Sequence, residues 1–386
     1  MTDFDHTQQR GLEAELKLVR ATARRFFIEE VAPHYATWEK QGYINRDLWR
    51  KAGKLGLLCP TIREQDGGLG ADIRYSRVVI EEMARSNCEL PGIYLHSDIV
   101  VPYIARLGTE DQKRKWLPGC ISGDVVTCIG ISEPDAGSDI RGLRTRAVRD
   151  GNDWVISGQK IFITNGWLAD LALIVANTGD KGNTSAKGIF LVETFHDGFR
   201  RGQLLEKVGH KAQDTTELFL DEVRVPADAL LGEAGKGLGY LMQELPAERL
   251  LIAISALALA EAVFTQTVDY VHQRRAFGKA IAEFQATRFT LAELKTEIEV
   301  GKALVDNCVD EVLNGTLGTS RASMAKLWLT EMQGRVIDRC VQLFGGYGYM
   351  WEYPVARAFA NARGQRIYGG SNDIMKEIIA REIFAK

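Results

Sequence analysis

Apolar residues recur three or four apart from residue 1 to about 125, in runs such as LEAELKLVRATARRFFIEEVA and YSRVVIEEMARS. That spacing lines one face of a helix and predicts a helical N-terminal region. The glycines of TIREQDGGLGADI (61–73) break the pattern, and TEDQKRKWLPGCISG (109–123) adds a short helix with its stop. From about 126 to 232 the texture changes. VVTCIGISE, RTRAVRDGNDWVISGQKIFITNG, LALIVANT, GIFLVET and TELFLDEVRVP are short β-prone runs divided by Gly, Asn and Asp turns. They predict a small antiparallel barrel or sandwich. Asp150-Gly151-Asn152-Asp153 reads as a hairpin turn between two of them. Beyond 233 four long amphipathic stretches predict an antiparallel bundle. The expected fold class is α+β and multidomain: an N-terminal α-helical domain (1–125), a middle β-barrel domain (126–232) and a C-terminal four-helix bundle (233–386).

Composition narrows the function. A formal net charge of −3 gives no basic field for nucleic acid. The most apolar stretch, LLIAISALALAEAVF (250–264), contains Glu261 and is short for a membrane span, so it reads as a buried bundle helix. Six scattered cysteines, Cys59, Cys88, Cys120, Cys128, Cys308 and Cys340, form neither CxxC pairs nor a Cys/His cluster. They suggest reduced thiols in a cytoplasmic protein, without a metal site. The N-terminus carries acidic residues and lacks the apolar segment of a signal peptide. No early strand–GxGxxG–helix unit is present, and GKGLG (235–239) lacks the preceding strand, which argues against a Rossmann dinucleotide site.

The segment QLFGGYGYMWEYPVARAFANARGQRIYGGSNDIMKEIIAR (342–381) resembles the C-terminal signature of acyl-CoA dehydrogenases. CIGISEPDAGSDIRG (128–142) resembles the first signature of that family, and KAQDTTELFLDEVRVP (211–226) its last barrel strand. The order of helices, barrel and bundle matches as well. The resemblance implies an FAD enzyme that removes two hydrogens from a saturated acyl-CoA to give the trans-2-enoyl-CoA.

Most of that family carries its base in a Tyr-Glu-Gly-Thr turn. Here the turn reads Tyr368-Gly369-Gly370-Ser371, and the chain offers Glu248 instead, in ELPAERLLIA (244–253). Long-chain and isovaleryl types place their base in this second location, so the resemblance is closest to the long-chain type. Pattern alone reads Glu248 as a first-turn acid at the start of a helix, just after Pro246, and Arg249 as half of a surface ion pair. The resemblance assigns Glu248 the α-proton and Arg249 the organisation of the site. It assigns Gly369 the backbone N–H that holds the enolate oxygen, with Tyr240, Pro246, Ser138 and Gly370 also on the substrate.

For the cofactor, the resemblance implies Ile129, Ile131, Ser132, Gly137 and Ser138 along the flavin, with Ser132 near its ring. Asp135 stands where the family usually has Gly, which adds a charge near the diphosphate. In KIFITNG (160–166), Phe162, Ile163 and Thr164 would border the ring, and Thr164 would bond its N5 edge. In HQRRAFGKAIAEFQ (272–285), Arg274 would meet the diphosphate and Gln285 the adenosine. Gln342, Leu343, Phe344, Gly345 and Gly346 would bind the adenine end from a neighbouring subunit, although two glycines after a helix are also a C-cap. Ser371, Asn372 and Asp373 open the last helix, with Ser371 as N-cap, and would contact the flavin.

Sites shared between subunits imply a homo-oligomer, a dimer of dimers in this family, with electron transfer flavoprotein as acceptor. Loss of the glutamate at 369 suggests room for long or methyl-branched chains. Pro91-Gly92 either disturbs a helix beside the acyl channel or simply starts one. An acyl-CoA oxidase and an inactive acyl-CoA-binding relative are the alternatives.

Overall fold

The computed structural model describes residues 3–179 and 186–385. Helix α1 (Asp3–Phe26) runs through a π-helical turn (Phe27–Val31) into α2 (Ala32–Gln41), followed by α3 (Arg46–Lys54) and α4 (Ile73–Arg85). A second π-turn (Leu95–Val100) joins α5 (Pro91–Tyr94) to α6 (Val101–Leu107). The predicted helix near 110 is α7 (Glu110–Ser122). Its Thr109 side chain accepts from the Gln112 N–H, Gln112 reaches back to the Thr109 N–H, and Gly123 stops it at φ 77°. Pro91 opens α5 at its first turn, the plainer of its two readings. Gly92 packs against two polar side chains of the middle region. A Cβ there would stand 2.1 Å from Asn165 Oδ1 and 2.3 Å from Gln213 Oε1.

Eight strands follow: β1 (Thr127–Gly130), β2 (Arg146–Asp150), β3 (Asp153–Thr164), β4 (Leu171–Asn177), β5 (Lys187–Glu193), β6 (Phe199–Leu204), β7 (Thr215–Pro226) and β8 (Leu230–Leu231). They form one sheet in the order β6-β7-β3-β2-β4-β5-β8, with β1 added beside β4. All strands but the short β8 contribute to one apolar cluster, including Trp154, Ile156, Ile174, Phe190, Leu218 and Val223, so the sheet wraps around a core of its own. Two expectations are corrected. Among the described residues the ends β6 and β8 do not pair, so hydrogen bonds leave the barrel open. The sheet is also mixed, because β1 runs parallel to β4 from Thr127↔Leu171 to Gly130↔Ile174. The predicted hairpin is present: Asp150 pairs with Asp153 and Gly151 takes φ +60°.

The C-terminal region has five helices where four were expected. They are α8 (Gly237–Gln273), α9 (Gln285–Leu313), α10 (Thr319–Phe344), α11 (Pro354–Gln365) and α12 (Asn372–Phe384). The extra one, α11, starts on Pro354. Helix α8 is long and apolar enough to cross a bilayer, but 72% of its most apolar window is buried inside the fold, so it is the core of the bundle. The loop after it carries a two-stranded ribbon, β9 (Arg275–Ala276) with β10 (Lys279–Ala280). A second, larger cluster joins the outer regions, bringing Phe27, Trp49 and Leu90 together with Leu250, Ile254, Leu329 and Val336. All six cysteines are buried and free.

Candidate active site

Glu248 does not start a helix. Helix α8 begins eleven residues earlier, at Gly237, and carries Pro246 inside it. A mid-helix proline frees the carbonyl four residues back. Here that residue is Met242, which is exposed, so water can take up the freed carbonyl. The helix therefore aims Glu248 inward from its fourth turn. Glu248 is half-buried as a residue, and its carboxyl is withdrawn from bulk water. Desolvation pushes its pKa up to about 7, opposed by the neighbouring Arg249 and assisted by Glu244.

Gly369 sits opposite, at φ +65°. A Cβ at this position would stand 3.9 Å from Glu248 Oε1 and 2.1 Å from Ile252 Cδ1. The volume vacated at the turn is therefore not open for a bulkier substrate, because Ile252 fills it. Arg249 is 3% exposed, so the surface ion pair is excluded. It donates to Ser323 Oγ at 3.2 Å, and its Nη2 lies 4.0 Å from the Cβ position of Gly370. Burial lowers its pKa, and the charge of Glu248 opposes that.

Lys326 is a residue that the sequence reading missed. It is fully buried, and its Nζ donates to the Gly370 carbonyl at 2.8 Å and to Asn372 Oδ1 at 2.9 Å. Burial and the charge of Arg249 bring its pKa down to about 8. Lys326 thus holds the glycine turn from behind. The side chain of Asn372 is held by this contact and by Thr330 and Glu331. Ser371 caps α12 as expected, accepting from the Ile374 N–H, and Asp373 is exposed beside Lys376.

The flavin candidates gather in two further places. Loop 131–138 lies against β3: the Ile161 N–H donates to the Ser132 carbonyl at 3.0 Å. Lys160 Nζ donates to the Ile131 carbonyl at 3.1 Å and to Glu133 Oε1 at 2.7 Å. Ile129 lies in β1, one residue before its end, while Gly137 and Ser138 are exposed in the turn beyond. Asp135 is not a free charge, since Arg144 pairs with it at 2.7 Å. A bulge in β3 puts Phe162 at φ +62° and leaves it 68% exposed. Thr164 lies at the end of that strand, and Ile163 points into the sheet core.

The other place is a surface cavity of about 530 Å³ lined by Tyr270, Arg274, Gln342 and the backbone from Leu343 to Tyr347. A Cβ on Gly345 or Gly346 would meet nothing within 4 Å. Gln285 begins α9 just after this loop. Tyr240 is tied elsewhere: its hydroxyl accepts from the Glu233 N–H. One chain thus supplies a bulge that holds an aromatic wall outward, an arginine whose guanidinium lies over the Tyr347 ring, and two glycines with open space beside them. These suit the ring, diphosphate and adenine parts of FAD. Among the described residues, no group of three or more His, Cys, Asp or Glu could hold a metal.

Three acyl-CoA dehydrogenase domain descriptions match the chain: the N-terminal domain over 13–124, the middle domain over 128–223 and the C-terminal domain over 235–384. The chain belongs to the acyl-CoA dehydrogenase family. It is 52% identical to the mitochondrial long-chain specific acyl-CoA dehydrogenase of Sus scrofa, over 97% of this chain and 88% of that protein. The structure of an acyl-CoA dehydrogenase from Geobacillus kaustophilus superposes with a TM-score of 0.94 at 48% identity, covering 96% of this chain and 98% of that one. A glutaryl-CoA dehydrogenase from Mycobacterium smegmatis, solved in complex with FADH2, gives 0.90 at 29% identity over 96% and 95%. As an acyl-CoA dehydrogenase, the protein is an oxidoreductase that uses FAD to dehydrogenate acyl-CoA.

Proposed function

We propose that Glu248 is the base of this acyl-CoA dehydrogenase and that its substrate is a long-chain saturated acyl-CoA. The observation that carries the first part is the 3.9 Å between Glu248 Oε1 and the Cβ position of Gly369. Two locations far apart in sequence reach the same point in space. A carboxylate from either could address one substrate carbon, and only Glu248 has one. FAD, when bound, supplies the acceptor for the β-hydrogen as hydride. The chain supplies the rest. Glu248 takes the α-proton, with a pKa that burial has brought close to neutral. The Gly369 N–H is available to the developing enolate oxygen, and Lys326 fixes the turn that carries it. Arg249 sits beside Glu248 as a buried cation and favours its ionised form.

Long chain length is supported by likeness to the Sus scrofa enzyme. Methyl branching gains no support from the turn, because Ile252 occupies the cleared space. Electron transfer flavoprotein as acceptor follows from the family resemblance. A homo-oligomer, a tetramer by that resemblance, would complete the FAD site from a second copy. A cytoplasmic location is in keeping with six buried free thiols. Anaerobic bleaching of the flavin by short, medium, long and methyl-branched acyl-CoAs tests the substrate. A sharp short-chain optimum would remove the long-chain reading.

The same base predicts a pH profile. Its pKa is raised, so the protonated, inactive form persists up to about pH 7. The free-enzyme kcat/KM should climb with a slope of one on a logarithmic scale and level off above about 7. A profile flat between pH 5 and 8 would place proton removal on another group.

A further inference from the structure

We propose that the acyl pocket ends in a polar chamber that binds a hydroxyl group carried on the acyl chain, well beyond the reacting carbons. The proposal rests on Glu248 as the base, because that residue fixes where the reacting carbons lie.

Glu248, Ile252 and Ser255 follow one another on a single face of α8, spaced four and three residues apart. The face is thus two turns long, about 10 Å at 1.5 Å per residue. Its two ends differ. One turn before Glu248, buried Glu244 pairs with Arg106 at 3.0 Å, and the Arg106 side chain is 59% exposed. That end reaches water, where the charged CoA has to remain. The Ser255 end is closed, with Ser255 3% and Gln365 0% exposed.

An apolar tail would be met by apolar side chains at such an end. Instead, Tyr94 OH, Tyr368 OH, Gln365 Oε1 and both ring nitrogens of His210 are buried there without a well-aligned hydrogen bond among the described residues. The Tyr94 hydroxyl lies within hydrogen-bonding reach of Tyr368 and Ser255, and the Tyr368 hydroxyl within reach of Gln365, so the cluster is continuous; Tyr94 also feels the charges of both Glu248 and Glu89. The His210 and Tyr368 rings are 6.3 Å apart. Gln365 Nε2 donates to Ser255 Oγ at 3.1 Å, which leaves its oxygen without a well-aligned bond. Behind them Asn361 accepts from the His210 N–H at 2.6 Å and donates to buried Glu89 at 2.8 Å. Buried polar atoms are seldom left unpaired, and a cluster of them calls for water or a ligand.

The chemistry of the set selects the ligand. The tyrosines donate, Gln365 accepts, and neutral His210 does one of each. Burial lowers the His210 pKa to about 4, so the ring carries no charge near neutral pH. Lys207, whose charge reaches His210, donates to the Gln213 carbonyl instead. A carboxylate on the chain would find no free cation and would face Glu89. A hydroxyl both donates and accepts, and is neutral.

Steady-state kinetics of the FAD-loaded enzyme test this. The probes are dodecanoyl-CoA and dodecanoyl-CoAs with a single hydroxyl at successive positions from mid-chain to the tail. At one position or a few adjacent ones, the hydroxylated substrate should exceed the plain one in kcat/KM by about tenfold. In Tyr94→Phe that ratio should fall toward one. Ser255→Ala, which releases Gln365, provides a second variant should the first fail to fold, and the ratio should shift in it too. If plain dodecanoyl-CoA exceeds every hydroxylated form in the wild type, the chamber holds water only and the proposal is overturned. A ratio unchanged in both variants overturns it as well. Glu248→Gln separates the two layers. If it keeps turnover, the base assignment fails; if it abolishes turnover while hydroxyls are rejected, only the chamber fails.

Discussion

Glu248→Gln should bind acyl-CoA and FAD as the wild type does, yet lose about 10²–10⁴ in kcat, the usual contribution of a positioned general base. The substitution keeps the shape and removes only the proton acceptor. Structural damage should be small, because the wild-type carboxyl is itself driven toward its neutral form by burial. A neutral amide in that position should leave the unfolding midpoint unchanged or raise it slightly at neutral pH. Anaerobic flavin bleaching by a long-chain acyl-CoA reads the chemical step directly. Slow or absent bleaching with normal binding is the expected result. Bleaching at the wild-type rate would show that the proton leaves by another route, and the geometry at Gly369 would then need a different explanation.

Lys160→Met should cost about 3–5 kcal/mol of stability, the penalty for removing one member of a buried ion pair. Lys160 is 0% and Glu133 7% exposed, and they meet at 2.7 Å. Glu133 also accepts from the N–H groups of Arg144 and Thr145, so it cannot swing out to water without breaking both. The Lys160 variant would leave that carboxylate charged and enclosed. Loop 131–138 would lose the bond from Lys160 to the Ile131 carbonyl as well, so FAD should dissociate more readily. Denaturant unfolding measures the cost. Adding Glu133→Gln should restore part of it, because the buried charge is removed, although the two N–H groups bond different carboxylate oxygens and the amide oxygen can serve only one of them. The sign with pH follows from the same pair. Glu133 has its pKa lowered in the fold, so the pair stabilises above the ordinary carboxyl range and is lost as pH falls through the lowered value. The deficit of the Lys160 variant should therefore shrink in acid. A loss below 1 kcal/mol would make the pair a bystander.

Much of this was legible in the chain. Periodicity located the helical and β-rich thirds, Ser371 and the turn at 150–153 had local signals, and the glutamate missing from position 369 directed attention to 248. What escaped depends on contacts between distant segments. The start of α8 was masked by Pro246, which is tolerated only because its surroundings give the freed carbonyl access to water. The pairing of β1 with β4 has no local mark, since parallel neighbours are chosen by the fold. Lys160 and Lys326 are lysines on short apolar stretches, and composition places such residues at the surface. Their burial follows from partners at Glu133 and Gly370 that no spacing rule connects.

The larger apolar cluster has a consequence for how the protein is made. Its members run from Ala23 to Ala362, whereas the sheet draws its own core from Cys128 to Ala229. During synthesis the first helices leave the ribosome long before the helices that cover them. The sheet has all its strands by the time Leu231 emerges and can close first. The N-terminal helices must wait with apolar faces bare until α8 and α10 arrive, and this is the interval in which a nascent chain most needs a chaperone.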